Sequence, residues 1–140
     1  MKTVIIFVVF FLISCGGKST FIAPEFHFEG AFKPSSLDKL EGYIKQLAQE
    51  KDYRVYEKRR HQMKTLTNGQ DAFSIALYQK TNDKNILYIS NTGAGTILTL
   101  YLFTNKDFSL QEAKSLADTV IHYLESQLNI EMKLIELSSE

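Results

Sequence analysis

The chain has 140 residues, 16 of them basic and 16 acidic, so its formal net charge is zero. That balance supplies no global attraction to nucleic acid or to anionic lipid. A single cysteine, Cys15, excludes a disulfide framework, and the fold must stand on an apolar core in which ten Phe and seven Tyr, with no Trp, supply the aromatic bulk.

Residues 1–15 read MKTVIIFVVFFLISC. Lys2 gives a short positive start, and Val4 to Ile13 is an unbroken apolar run of ten residues. A membrane-spanning helix needs about 20 apolar residues. The run instead has the length of the apolar region of a secretory signal peptide. A buried strand or helix at the start of a globular domain is the rival reading. The flanking lysine, the position at the N-terminus and the lack of a polar face argue against it. The run does not end in a small-x-small cleavage site. It ends in Leu12-Ile13-Ser14-Cys15, which resembles the lipobox of bacterial lipoproteins. The resemblance covers residues 1–18 only. It implies cleavage between Ser14 and Cys15, a diacylglyceryl group on the Cys15 sulfur, and often a further acyl chain on the new amino group. One acyl chain holds a protein only marginally, whereas two or three hold it stably. In lipoproteins the residue after the cysteine influences sorting. Here it is Gly16 rather than the aspartate associated with inner-membrane retention, which favours the outer membrane, with the domain facing the periplasm.

The expected organisation is therefore a removed signal peptide at 1–14, a lipidated terminus and short tether at 15–20, and one globular domain at 21–140. Residues 15–140 carry 15 basic and 16 acidic side chains. No second apolar stretch of spanning length follows.

Phe26 and Phe28 alternate with His27 and Glu29, a period-two pattern bounded by Pro24 and Gly30. This predicts a short edge strand or an ordered arm. Ser35 and Asp38 have the spacing of a capping box, and Leu37, Leu40, Ile44, Leu47 and Ala48 form one apolar stripe flanked by Tyr43, so a helix follows. YRVYEKRRHQMK begins as a strand, and TLTNGQD is turn-rich around Asn68-Gly69. Phe73, Ile75 and Leu77 alternate with Ser74, Ala76 and Tyr78. ILYIS is a further strand. After the NTGAG turn, Leu98, Leu100 and Leu102 alternate with Ile97, Thr99, Tyr101 and Phe103. This is a meander at hairpin spacing. Ser109 and Glu112 make a full capping box for a long helix, with Phe108 and Ala113 at the staple positions. Its predicted apolar face is Leu110, Ala113, Leu116, Ala117, Val120, Ile121, Leu124 and Leu128. IEMKLIEL closes the chain as a strand, with a parallel place beside an inner strand open to it. The order β-α-β-β-β-β-α-β predicts an α+β fold: a mostly antiparallel sheet of five to six strands with two helices on one face.

Motifs for chemistry are sparse. His122 and Glu125 have the i, i+3 spacing that can ligate a metal on one helix face, but two residues make no site, and the plain reading is a pair of solvent-facing side chains. No serine lies in a G-x-S-x-G elbow. NTGAGT lacks the following helix and the lysine of a phosphate loop. It reads as a hairpin turn in which Gly93 and Gly95 supply positive φ. We therefore expect no catalytic residue, no metal site and no cofactor. The distinctive surface feature is EKRRHQMK. Lys58, Arg59, Arg60 and Lys64, with His61, read as a solvated charged segment, a docking patch for an acidic protein, or a patch against anionic headgroups. Tyr53, Tyr56, Tyr78, Tyr88 and Tyr101 fall within strands, either as ordinary sheet packing or as a recognition surface.

The expectation is a membrane-anchored bacterial envelope lipoprotein whose non-catalytic domain binds an envelope protein, in an accessory or an inhibitory, immunity-type role. A small-ligand carrier is the alternative, and a small envelope hydrolase is third. Nucleic acid is not an expected partner.

Overall fold

The computed structural model describes residues 23–60, 72–92 and 95–136. The chain forms β1 (Phe26–Ala31), α1 (Leu37–Lys51), β2 (Tyr53–Arg60), β3 (Ala72–Gln79), β4 (Asn85–Thr92), β5 (Ile97–Leu102), α2 (Leu110–Leu128) and β6 (Lys133–Leu134). The strands make one six-stranded sheet in the order β2-β3-β4-β5-β1-β6. Every pairing is antiparallel. The architecture is α+β, with two helices packed on one face of the sheet.

Alternation explains that arrangement. Phe73, Ile75 and Leu77 of β3, Leu87 and Ile89 of β4, and Leu98, Leu100 and Leu102 of β5 share one face and are buried. They join one core with Leu40, Ile44 and Leu47 of α1 and Ala113, Leu116, Val120 and Leu124 of α2. Each fully buried Leu or Ile contributes about 1.5–3 kcal/mol relative to exposure. The register slips between Leu77 and Tyr78, where Tyr78 pairs with Asn85 instead of Ile86. This bulge lets two successive residues, Ile86 and Leu87, both enter the core.

Several expectations change. β1 is not an edge strand: it lies between β5 and β6 and runs through Gly30 to Ala31. The reason is the close approach of the chain after α2. A Cβ on Gly30 would sit 2.6 Å from the Glu131 carbonyl oxygen and 2.7 Å from Met132 Sδ, so only glycine admits that crossing. The closing strand is two residues long, not eight, and it pairs antiparallel with β1 at the sheet edge. Ile130 and Met132 of the same segment are buried, but Leu134 is 59% exposed.

The first helix does not start from a Ser35 cap. A one-turn 3-10 helix at Pro34–Ser36 precedes it, and Ser36 occupies the cap position without a side-chain cap bond. Its C-terminus closes on Asp52 in the left-handed region, at φ 58°. The cap of α2 is as predicted. Glu112 N donates to Ser109 Oγ at 3.2 Å, and Ser109 N donates to Glu112 Oε2 at 2.7 Å. Hydrogen bonds to the Glu112 carboxyl, first from the Ser109 backbone N–H and then from the Ser109 side chain, hold it below its usual pKa. Phe108 and Ala113 are both buried. Leu110 departs from the predicted stripe and is 53% exposed.

The helices lock to each other through Tyr43 and Tyr123. Their rings stack at 3.7 Å with planes 1° apart. Tyr43 Oη donates to the Thr119 carbonyl and Tyr123 Oη to the Lys39 carbonyl, each at 3.3 Å. Among the described residues no helix is long and apolar enough to cross a membrane.

Candidate interaction surface on the open sheet face

The side of the sheet away from the helices carries the other half of each alternation. The register aligns Tyr56 of β2, Ala76 of β3, Tyr88 of β4, Tyr101 of β5 and His27 of β1 in one row across five strands. Ser74, Ser90, Thr99 and Glu29 make a second row, extended by Lys133 of β6. Among the described residues no helix lies on this face.

The small members of these rows are buried: Ala76 at 3% exposure and Thr99 at 0%. The larger rings beside them, Tyr88 and Tyr101, are half-buried, and Tyr56 is 59% exposed. The small residues are neighbours of the rings in the register: Ala76 lies between Tyr56 and Tyr88, and Thr99 is two positions from Tyr101 on β5. The ring centroids of His27 and Tyr101 are 4.5 Å apart, and those of Tyr101 and Tyr88 are 6.5 Å apart. His27 Nε2 lies 3.1 Å from Glu29 Oε1, out of line for a hydrogen bond. Burial raises the Tyr101 phenol pKa, and the negative charge of Glu29 and the neighbouring Tyr88 add to the rise. Tyr101 is therefore a neutral hydroxyl at physiological pH, able both to donate and to accept a hydrogen bond.

Not every strand tyrosine belongs here. Tyr53 takes the opposite parity and packs on the helix side, edge-on to Phe108 at 6.4 Å. Its phenol pKa is raised by burial and then by Glu112. Tyr78 keeps the open-face parity of Tyr56, next to the bulge. Sequence reasoning singled out the tyrosines but missed His27 and Glu29 as their neighbours. The signal was present in the period-two pattern of FHFE, because residues that alternate with two core phenylalanines must face the other way.

The basic cluster is brought only partly into view. Lys58, Arg59 and Arg60 end β2 and pair with Ser74, Phe73 and Ala72. His61 and Lys64 lie outside the described residues, as do Cys15, Asn68-Gly69 and Gly93. Gly95 has φ 87°, as the hairpin-turn reading requires.

The helix pair considered for metal has a different role. Glu125 Oε1 accepts from Met132 N at 3.3 Å and so ties the segment after α2 back to the helix, while His122 is exposed. Among the described residues no group of three or more His, Cys, Asp or Glu side chains could hold a metal ion. The space between sheet and helices, where a carrier would hold an apolar ligand, is filled by Leu40, Ile44, Ile75, Leu77, Leu100 and Leu124, all fully buried.

At the far end, a polar network joins the β3–β4 turn to the loop before α2. Asn105 Nδ2 donates to Gln79 Oε1 at 2.9 Å, and Asn82 Nδ2 donates to Asp107 Oδ2 at 3.0 Å. These bonds satisfy loop groups and brace the turn. Comparison with family models, with characterised proteins and with solved structures finds no match to this chain.

Proposed function

We propose that this protein is a lipid-anchored component of the bacterial envelope whose α+β domain binds another envelope protein without catalysis. The observation that carries the binding part is the row Tyr56–Ala76–Tyr88–Tyr101–His27 on the face opposite both helices. Tyrosine is favoured at binding hot spots because it offers large apolar area, few rotatable bonds and a polar tip. The half-buried rings of Tyr88 and Tyr101 pack beside each other and beside His27, so less entropy is lost when a partner covers them than for free side chains. The anchoring part rests on the Leu12-Ile13-Ser14-Cys15 pattern, and the outer membrane is favoured by Gly16.

Two experiments test the parts separately. Metabolic labelling with a palmitate analogue marks the wild type and not Cys15→Ser; label that survives the substitution removes the anchor. Affinity capture of the full chain from detergent-solubilised membranes recovers a stoichiometric protein that the Tyr88→Ala, Tyr101→Ala double variant loses. Recovery unchanged by the double variant removes the tyrosine face from the binding site.

A further inference from the structure

β2 closes one side of the sheet, and among the described residues it is the longer of the two sheet edges. Its eight residues, Tyr53 to Arg60, pair on one side with β3 and among the described residues with no other strand. An open strand edge exposes alternate N–H and C=O groups that can take up another extended chain. At the opposite end of the sheet β6 is only two residues long, which shortens that edge.

The charge of β2 selects its occupant. The strand carries Arg54, Lys58, Arg59 and Arg60 against the single acid Glu57. Arg54 is engaged by Asp83 of the β3–β4 turn, and the other three basic residues, Lys58, Arg59 and Arg60, follow one another at the end of the strand. Glu57 is already neutralised from the helix side, where Lys45 Nζ lies 3.1 Å from its Oε1. In a full antiparallel pairing with a second copy of this strand, Arg59 would oppose Arg54, and Lys58 and Arg60 would oppose Val55 and Tyr53, so the basic end would meet no acid. An acidic strand would meet its complement. We infer that the β2 edge takes up an extended segment of a partner protein with acidic residues at alternate positions, by strand addition. The added strand lies beside Tyr56, 59% exposed, and lengthens the aromatic row of the open face by one strand. The inference rests on the protein-binding reading above and supplies its geometry.

The test uses the full chain in detergent and an eight-residue peptide in which glutamate alternates with threonine and valine. The readout is backbone amide hydrogen exchange together with affinity. The peptide is expected to slow exchange across residues 53–60. Lys58→Glu with Arg60→Glu is expected to weaken it by about tenfold or more and to admit the lysine counterpart of the peptide. A peptide methylated at alternate backbone nitrogens, so that it cannot complete the ladder, is expected not to bind. That comparison uses the wild type alone and stands if the double variant fails to fold. Equal binding of the methylated peptide refutes strand addition. Slowed exchange at residues 53–60 without peptide, with a dimer in sedimentation, assigns the edge to a second copy. Binding of anionic vesicles with no effect of peptide on exchange assigns it to headgroups; both results overturn the proposal. A captured envelope partner with no change at β2 refutes the edge and leaves the proposed function standing. Slowed exchange by the acidic peptide with no captured partner does the reverse.

Discussion

Gly30→Ala is the sharpest test of how this fold closes. The added Cβ would lie 2.6 Å from the Glu131 carbonyl oxygen, 2.7 Å from Met132 Sδ and 2.9 Å from Ile130 Cγ2. The methionine can swing away at little cost, but the carbonyl is main chain and Ile130 is buried in the core. The segment after α2 must therefore lift off β1, weakening the β1–β6 pairing and unseating Ile130. Overpacking of this kind costs about 1–3 kcal/mol. For a domain of this size that lowers Tm by roughly 4–12 °C. Gly42→Ala is the matched control. It sits in the interior of α1, and nothing lies within 4 Å of its added Cβ. Relief of the glycine penalty in a helix stabilises by about 0.5–1 kcal/mol. Urea unfolding of the two variants, followed by circular dichroism, gives both signs in one experiment. Gly30→Ala within about 0.5 kcal/mol of the wild type, well below the overpacking range, would show that the chain does not cross β1 as described.

Three further outcomes follow from the same geometry. Ser109→Ala removes the cap of α2 and costs about 0.5–2 kcal/mol in the same unfolding assay, and no loss would show that the cap contributes nothing. Because the Glu112 carboxyl is held below its usual pKa in the folded state, its contribution is present above the unfolded pKa near 4.5 and is lost as pH falls through the lower folded value. Stability of Glu112→Gln should therefore fall less steeply below pH 4.5 than that of the wild type, and identical pH curves would contradict the assignment. A double-mutant cycle on Tyr43→Ala and Tyr123→Ala should give a coupling of about 0.5–1.5 kcal/mol for the stacked pair, whereas strictly additive losses would mean that the rings do not support each other.

Much of the fold is legible in residue alternation, and the departures have physical causes. Phe73, Ile75 and Leu77, then Leu98, Leu100 and Leu102, each read as one buried row, and each is one. The meander follows because short turns separate the strands. Ser109 and Glu112 announce the start of α2 because both partners of the cap lie within four residues of one another. What the pattern could not give depends on distant contacts. The place of β1 inside the sheet follows from a glycine meeting Glu131, far along the chain beyond both helices, which no local periodicity encodes. The closing strand shrinks to two residues because Ile130 and Met132 are drawn into the core and away from the ladder. Leu110 fits the helical stripe but falls in the first turn of α2, where it remains exposed. The tyrosine surface was half legible. Parity alone separates Tyr56 from Tyr53, since Val55 and Glu57 between them fix which positions face the helices. That His27 joins the row needed the β1–β5 register, in which it pairs with Tyr101.

Photocrosslinking in the living cell shows whether the proposed tyrosine face receives a protein partner. A benzophenone amino acid replaces Tyr88 at the middle of the row and, separately, Ser126 on the exposed side of α2. A discrete protein adduct is expected from position 88 and none from position 126. No adduct from position 88, or the same adducts from both positions, would contradict the proposal.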